Sequence, residues 1–246
     1  SRCWLVLQER AAIGGGLVFP LMAAAIFGLI KGLDDQDGRY YLLSAAAAGF
    51  GLMSSKIFLI FPLAVLIAVI AWQRHHKQQG ARRMVGLLGA GLMVSLAAAI
   101  PLIRAVSLEP ASYFAPILAR IGETEAAYAG NPILIFFGNL AKAVGLVNWT
   151  NQGSWVDSIA NRGAVDGLTA VFFLFGAVTL TRQYKHEKDW KKLTLLLLYP
   201  ILLLPSALAL AFPIENPSMT RAVGAAVPVI IIAAFGIAEL IRCLTR

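Results

Sequence analysis

The chain has 246 residues, of which 59% are hydrophobic and 14% charged, and a formal net charge of +8. A soluble domain of this length carries about 25% charged residues and has no room to hide this much apolar surface in one core, so a soluble globular enzyme is excluded. Basic residues do not interleave with aromatic ones along any groove-like stretch, so the positive charge reads as membrane topology and nucleic acid is excluded as a partner.

The apolar residues come in blocks of membrane-spanning length. The expected fold is all-α: a polytopic transmembrane helical bundle of about seven membrane segments, some of them short, with an added interfacial helix. Residues 1–246 read as a single transmembrane domain. The opening SRCWLVLQER has no secretory cleavage pattern and reads as mid-chain, the expectation being a piece of a longer protein. Cys3 and Cys243 stand at opposite ends of the chain, without metal-ligand spacing or a disulfide framework.

The first span is expected over residues 11–30, followed by the polar loop KGLDDQDGR. Residues 41–72 are then apolar for longer than one helix needs to cross a ~30 Å hydrocarbon core. Gly49, Gly51, Ser54, Ser55 and Lys56 interrupt them, which predicts two short helices turning near Ser54–Lys56 with a charge at the turn. Lys56 is there either a phosphate contact or a snorkelling headgroup contact. DDQD at 34–37 reads as a solvated turn rather than a metal cluster, and His75 and His76, in the basic loop 74–83, read as solvated. The next span is expected over 84–103, and the stretch 104–131 reads as a polar loop.

Residues 132–149, PILIFFGNLAKAVGLVNW, are amphipathic and broken by Gly138, Asn139 and Lys142, the pattern of a helix lying at the interface. In the next polar loop Asn148, Trp149, Trp155, Asp157, Asn161 and Arg162 suit either a sugar-holding surface or the aromatic belt of the interface. A further span is expected from Leu168, starting at Asp166, to Thr181, and a second basic loop follows it. Two final spans, 193–212 and 222–241, flank the polar sequence IENPSMTR.

Placing 31–40, 74–83, 182–192 and 242–246 on the cytoplasmic side puts most of the 21 Lys and Arg there. The loops 104–131 and 148–165 then share the outer face with IENPSMTR. In that motif Pro213 and Pro217 are expected to stop the preceding helix. Thr220 is expected as an N-cap, with Arg221 in the first helical turn as a phosphate clamp. An interfacial Glu215–Arg221 pair is the plainer reading of the same residues.

Three stretches together resemble a family: GFGLMSSKIFLIFPLAVL, NWTNQGSWVDSIANRGAVDGLTAVFFLFG and IENPSMTRAVGAAVPVIIIAAFGIAEL. They are similar to the later part of GT-C membrane glycosyltransferases of the family 39 type, relatives of dolichyl-phosphate-mannose–protein mannosyltransferases and of lipid A aminoarabinose transferases. The last stretch is the most specific, with Glu215, Pro217, Arg221 and Gly224 leading into a late helix that contains Pro228. The resemblance implies a multi-pass protein of the bacterial plasma membrane that transfers a sugar from a polyprenyl-phosphate donor to a protein, lipid or glycan acceptor at the outer face. It implies Arg221 at the donor phosphate, Glu215 and Asn216 shaping the same pocket, and Lys56, Trp155 and Asn161 as further substrate contacts. The catalytic carboxylate is expected in a loop upstream of Ser1, so its residue is unknown. No cofactor and no metal ligand are implied, and a divalent ion is left open. One departure is Leu59, where relatives often carry an arginine; Lys56, a turn away, is the substitute. Two other readings stand beside this one: a transporter or flippase of a lipid-linked or anionic substrate, and a non-catalytic membrane scaffold.

Overall fold

A computed structural model describes residues 16–76, 81–149 and 163–245. These residues form helices and no strand, as an apolar chain in lipid must satisfy its backbone internally. Helix α1 (Val18–Asp35) ends at Gln36, which is left-handed at φ 53°, and α2 (Gly38–Ser54) starts from Asp37, whose side chain accepts from Arg39 N. The expected loop at 31–40 is thus two residues wide.

Chain direction breaks at Ser55, which is extended, and resumes in a 3-10 turn, Lys56–Ile60, leading into α3 (Phe61–His76). This is the interruption expected from the small residues. A Cβ on Gly51 would fall 2.3 Å from the Phe58 ring, so the ring of the second segment fills the slot left by the glycine of the first.

Helix α4 (Ala81–Ala98) is followed by α5 (Ile100–Leu108) after a 60° bend. Pro101 sits in the first turn of α5, where its missing N–H cannot extend the preceding ladder. The single span expected over 84–103 is therefore a bent pair. The polar loop expected at 104–131 is also corrected, because α5 continues to Leu108 and α6 (Pro110–Ile121) follows directly. Helix α7 (Pro132–Gly145) is capped by Asn131, whose side chain accepts from Ile133 N. Asn139 is buried while Ile133, Leu134 and Phe137 are exposed, which fits the amphipathic reading.

Helix α8 (Gly167–Glu187) begins where the sequence placed it. The Asp166 carboxylate accepts from Thr169 N at 2.9 Å and from Thr169 Oγ1 at 2.8 Å. Asp166→Ala should cost about 1 kcal/mol, as for other N-caps, read as a lower midpoint in thermal unfolding. Helix α9 (Trp190–Leu202) runs into the one-turn α10 (Leu204–Ala207) at Pro205, so this segment ends five residues short of the expected Phe212. A 3-10 turn (Val223–Ala225) then opens α11 (Ala226–Leu244).

Among the described residues, three stretches are long and apolar enough to cross a membrane: Lys56–His76, Trp190–Ala207 and Val223–Leu244. The bent pair Arg83–Ala98 with Ile100–Leu108 makes a fourth if it is one span. Of the remaining segments expected to span, α2 has 17 residues and α1 and α8 end in charged turns. Large apolar side chains face outward along several helices, among them Phe27, Phe50, Met93, Leu168 and Val171, more apolar surface than a water-facing exterior presents.

The helices pack by close approach. α1 crosses α2 where Ser44 Oγ donates to Ala25 O at 2.8 Å. α8 crosses α11 with glycine on both sides: a Cβ on Gly176 would lie 2.0 Å from Ile232 O, and one on Gly236 2.3 Å from Phe172 O.

Polar contacts gather at the two ends of α3. At its C-terminal end Lys191 pairs with Asp34 at 2.8 Å, Lys31 with Asp35 at 2.9 Å, and His75 Nδ1 meets Lys188 O at 3.0 Å. His76 stacks on Trp72 and touches Trp190 edge-on. His75 is exposed, as the sequence reading has it, though bonded to Lys188 O, while His76 is part-buried against the two tryptophans; Asp34, Asp35 and Asp37 each have a protein partner. At the other end lie Lys56, α6 and the loop between α10 and α11. The Lys56–His76 stretch of 21 residues separates these two layers by about 30 Å at a helical rise of ~1.5 Å per residue, the thickness of a hydrocarbon core.

Candidate functional site

The polar loop 208–222 is anchored from below by a buried network. Asn139 Nδ2 donates to the carbonyls of Ala207 and Ala209, each at 3.2 Å, which holds the end of α10 against α7. Asn216 Nδ2 donates to Asn139 O at 2.7 Å, and Asn216 Oδ1 accepts from Ser206 Oγ. Ser206 Oγ in turn accepts from Ser218 N at 2.9 Å. All four side chains are buried, and the Asn216–Pro217 peptide is cis. Asn216, expected to shape a ligand pocket, here spends its donor and acceptor inside the protein and positions the loop.

Above this floor sit the charges. Pro213–Glu215 forms a 3-10 turn that carries the Glu215 carboxylate to Arg221, whose Nη2 donates to Glu215 Oε2. The same oxygen faces Arg120 Nε at 3.2 Å. Arg120 lies on α6, and its Nη1 reaches Glu125 Oε2 at 3.4 Å. The Arg120 guanidinium rests 4.5 Å from the Phe212 ring centroid, a cation–π contact, while its backbone carbonyl accepts from Ala211 N at 3.1 Å. Glu215, Arg221 and Arg120 are all part-exposed, between 26% and 37% by side chain. Arg221 Nη1 is buried and has no hydrogen-bond partner.

Thr220 is not the N-cap of the last helix. Ala225 holds that position without a side-chain cap, and Ala222 N bonds to Ser218 O in a turn that leaves Arg221 ahead of α11. Pro228 explains the offset. It lies in the first turn of α11, and lacking an N–H it cannot donate to the turn before, so the α-helix starts at Ala226. Arg221 therefore projects from an irregular loop, and the helix terminus is not its partner in holding an anion.

Lys56 belongs to the same end of the molecule and to the same helix contact. Its Nζ donates to Tyr113 O on α6 at 2.7 Å and lies 4.8 Å from the Tyr113 ring centroid. Burial pushes the Tyr113 phenol above its ordinary pKa. Lys56 thus tethers one end of α6, and Arg120 tethers the other. Trp155 and Asn161 lie outside the described residues, as do Asp157 and Arg162. Of the expected sugar-holding loop, Asn148 donates to Ala170 O at 3.1 Å, Trp149 is exposed, and Ala164 N bonds to Leu146 O at 2.9 Å, which brings the two flanks of the loop together.

Beside the Lys56 turn an apolar cleft of about 320 Å³ opens between α1, α2, α3 and α4, with Tyr41, Ala48, Phe58, Leu59, Val65 and Leu92 in its lining. Ile57 of the same turn faces the loop side: a Cβ on Gly224 would meet it at 3.6 Å. Among the described residues no group of three or more His, Cys, Asp and Glu is placed to hold a metal ion.

Sequence reasoning paired Glu215 with Arg221 and missed Arg120. The sequence holds no local signal linking Arg120 to a residue 95 positions later. Compared with known proteins, the chain matches no family model, no curated protein and no solved structure.

Proposed function

We propose that this chain is part of a multi-pass glycosyltransferase of the bacterial plasma membrane, of GT-C type, and that it binds the phosphate of a polyprenyl-linked sugar donor at the outer face. In this reading the seven segments are α1, α2, α3, the bent α4–α5 pair, α8, α9 with α10, and α11, while α7 lies along the interface. The acceptor is a protein, lipid or glycan hydroxyl arriving from the aqueous side.

The observation that carries the reading is the pair of guanidiniums at Glu215, with Arg221 Nη1 buried and unpartnered. The pair stands a membrane's thickness from the basic loops that the positive-inside rule assigns to the cytoplasm. Cationic forks that match phosphate geometry are what a leaving polyprenyl phosphate requires as negative charge builds on it. The apolar cleft beside Lys56 suits the lipid side of the same substrate.

Arg221→Ala in the full-length protein is expected to lower sugar transfer about hundredfold, the scale for losing one donor to a developing anion, while membrane insertion persists. Turnover at the wild-type rate would refute the assignment. A scaffold is the second reading, favoured by one observation: Ser206, Asn216, Ser218 and Glu215 all bond within the protein.

A further inference from the structure

Glu215 Oε2 pairs with two guanidiniums at once: it accepts from Arg221 Nη2 and lies 3.2 Å from Arg120 Nε as an ion pair. One carboxylate therefore faces two cations. The second carboxylate nearby, Glu125, reaches only Arg120, at 3.4 Å, with its side chain 59% exposed, so solvent screens much of its effect. The arrangement is held from outside the ion pairs. Phe212 supports the Arg120 guanidinium, Ala211 N fixes the Arg120 backbone, and the buried Asn216–Ser206–Asn139 network fixes the loop that carries Glu215 and Arg221. Arg120 and the loop are held in place, and the Glu215 side chain between the two guanidiniums is 31% exposed, so solvent reaches it.

From this we infer that Glu215 occupies the seat of a phosphate. A phosphate group, on a lipid headgroup or free in solution, binds between Arg120 and Arg221 by displacing the Glu215 carboxylate toward solvent. A carboxylate offers two oxygens, whereas a tetrahedral phosphate offers more and carries up to two charges. It reaches Arg120 Nε and Arg221 Nη2 as Glu215 does, and it gives the buried Arg221 Nη1 the acceptor it lacks. Arg120 thereby becomes a second phosphate-binding residue, and Glu215 a competitor that sets the affinity. The ligand class rests on the function proposed above; the exchange with Glu215 does not require that transfer take place.

The test is equilibrium binding to the full-length protein in lipid nanodiscs, by titration with a polyprenyl monophosphate and separately with inorganic phosphate. Glu215→Gln removes the competing charge and keeps the size of the side chain, and is expected to tighten phosphate binding about tenfold. Arg120→Gln is expected to weaken it about tenfold, with Arg120→Lys in between because a lysine keeps charge without the fork. A gain in Glu215→Gln is not an outcome that misfolding produces, so it stands even if the Arg120 variants prove unstable. Shifts seen with both probes support a site that reads phosphate itself. Shifts seen only with the polyprenyl phosphate support a headgroup site. Unchanged or weaker binding in Glu215→Gln overturns the inference. If the binding shifts appear and no sugar is transferred, the transferase reading fails and the exchange stands. If transfer is intact and Glu215→Gln binds phosphate like the wild type, the exchange alone fails.

Discussion

Gly176→Leu is expected to abolish the folded state, with Gly176→Ala as the graded version of the same insult. α8 and α11 meet backbone to backbone here. A single Cβ at Gly176 would lie 2.0 Å from the Ile232 carbonyl oxygen, and the reciprocal position on Gly236 would lie 2.3 Å from Phe172 O. The obstructing atoms are main chain and cannot rotate away, so the whole helix pair must move apart. Between membrane helices, close approach of small residues is itself the source of attraction, because lipid already solvates apolar side chains. Overpacking a tight contact costs about 1–3 kcal/mol, a large part of a total stability of about 5–15 kcal/mol. Gly176→Ala should accordingly lower the thermal midpoint in detergent by several degrees, and leucine should leave little folded protein. Gly89→Ala is the matched control: nothing lies within 4 Å of its added Cβ, and alanine is the better helix former, so its midpoint should hold or rise. Equal midpoints for Gly176→Ala and wild type would show that the crossing is looser than described.

Asn216→Ala is the second large effect, and it acts on the floor of the site. It removes the donor to Asn139 O and the acceptor of Ser206 Oγ, and both partners remain buried. A buried polar group left unsatisfied costs about 1–3 kcal/mol, so the loss should come to roughly 2–4 kcal/mol for the two together. Asn216→Asp should be no better, since a carboxylate cannot donate to Asn139 O and brings a charge into a buried place. Thermal unfolding reads the stability, and an undiminished midpoint in Asn216→Ala would remove this residue from the structural core. Because the loop carries Glu215 and Arg221, phosphate affinity should fall along with the midpoint.

Local chemistry was legible in the sequence, and long-range chemistry was not. The break at Ser54–Lys56 was readable because small residues and a charge interrupt an apolar run. The start of α8 was readable because Asp166 is a cap that acts within its own turn. The bend at Ala99 is equally local, written in Pro101, but the unbroken apolar run 84–103 around it has the pattern of one straight span. Residues 104–131 read as polar because of a few scattered charges, yet α5 and α6 are helices with one arginine each and largely apolar exposed faces. Thr220 looked like a cap because it precedes an apolar helix, while Pro228, four residues past Gly224, sets where that helix begins. Asn216 read as a ligand contact because exposed and buried amides look alike in one dimension. Nothing near Arg120 announces Glu215; only the folded chain brings them together.

The seating of Phe58 against Gly51 has a mechanical consequence. A break between two helices is ordinarily a place where a chain flexes, but this one is wedged by an aromatic ring that cannot withdraw without opening a hole beneath it. The elbow is therefore stiff. Any motion that widens the neighbouring cleft must come from its far wall, where α4 presents Leu88 and Leu92 and where added methyl groups on Gly86 and Gly89 would touch nothing. Lys56, fixed at the elbow, then serves as the still point from which α6 is hung.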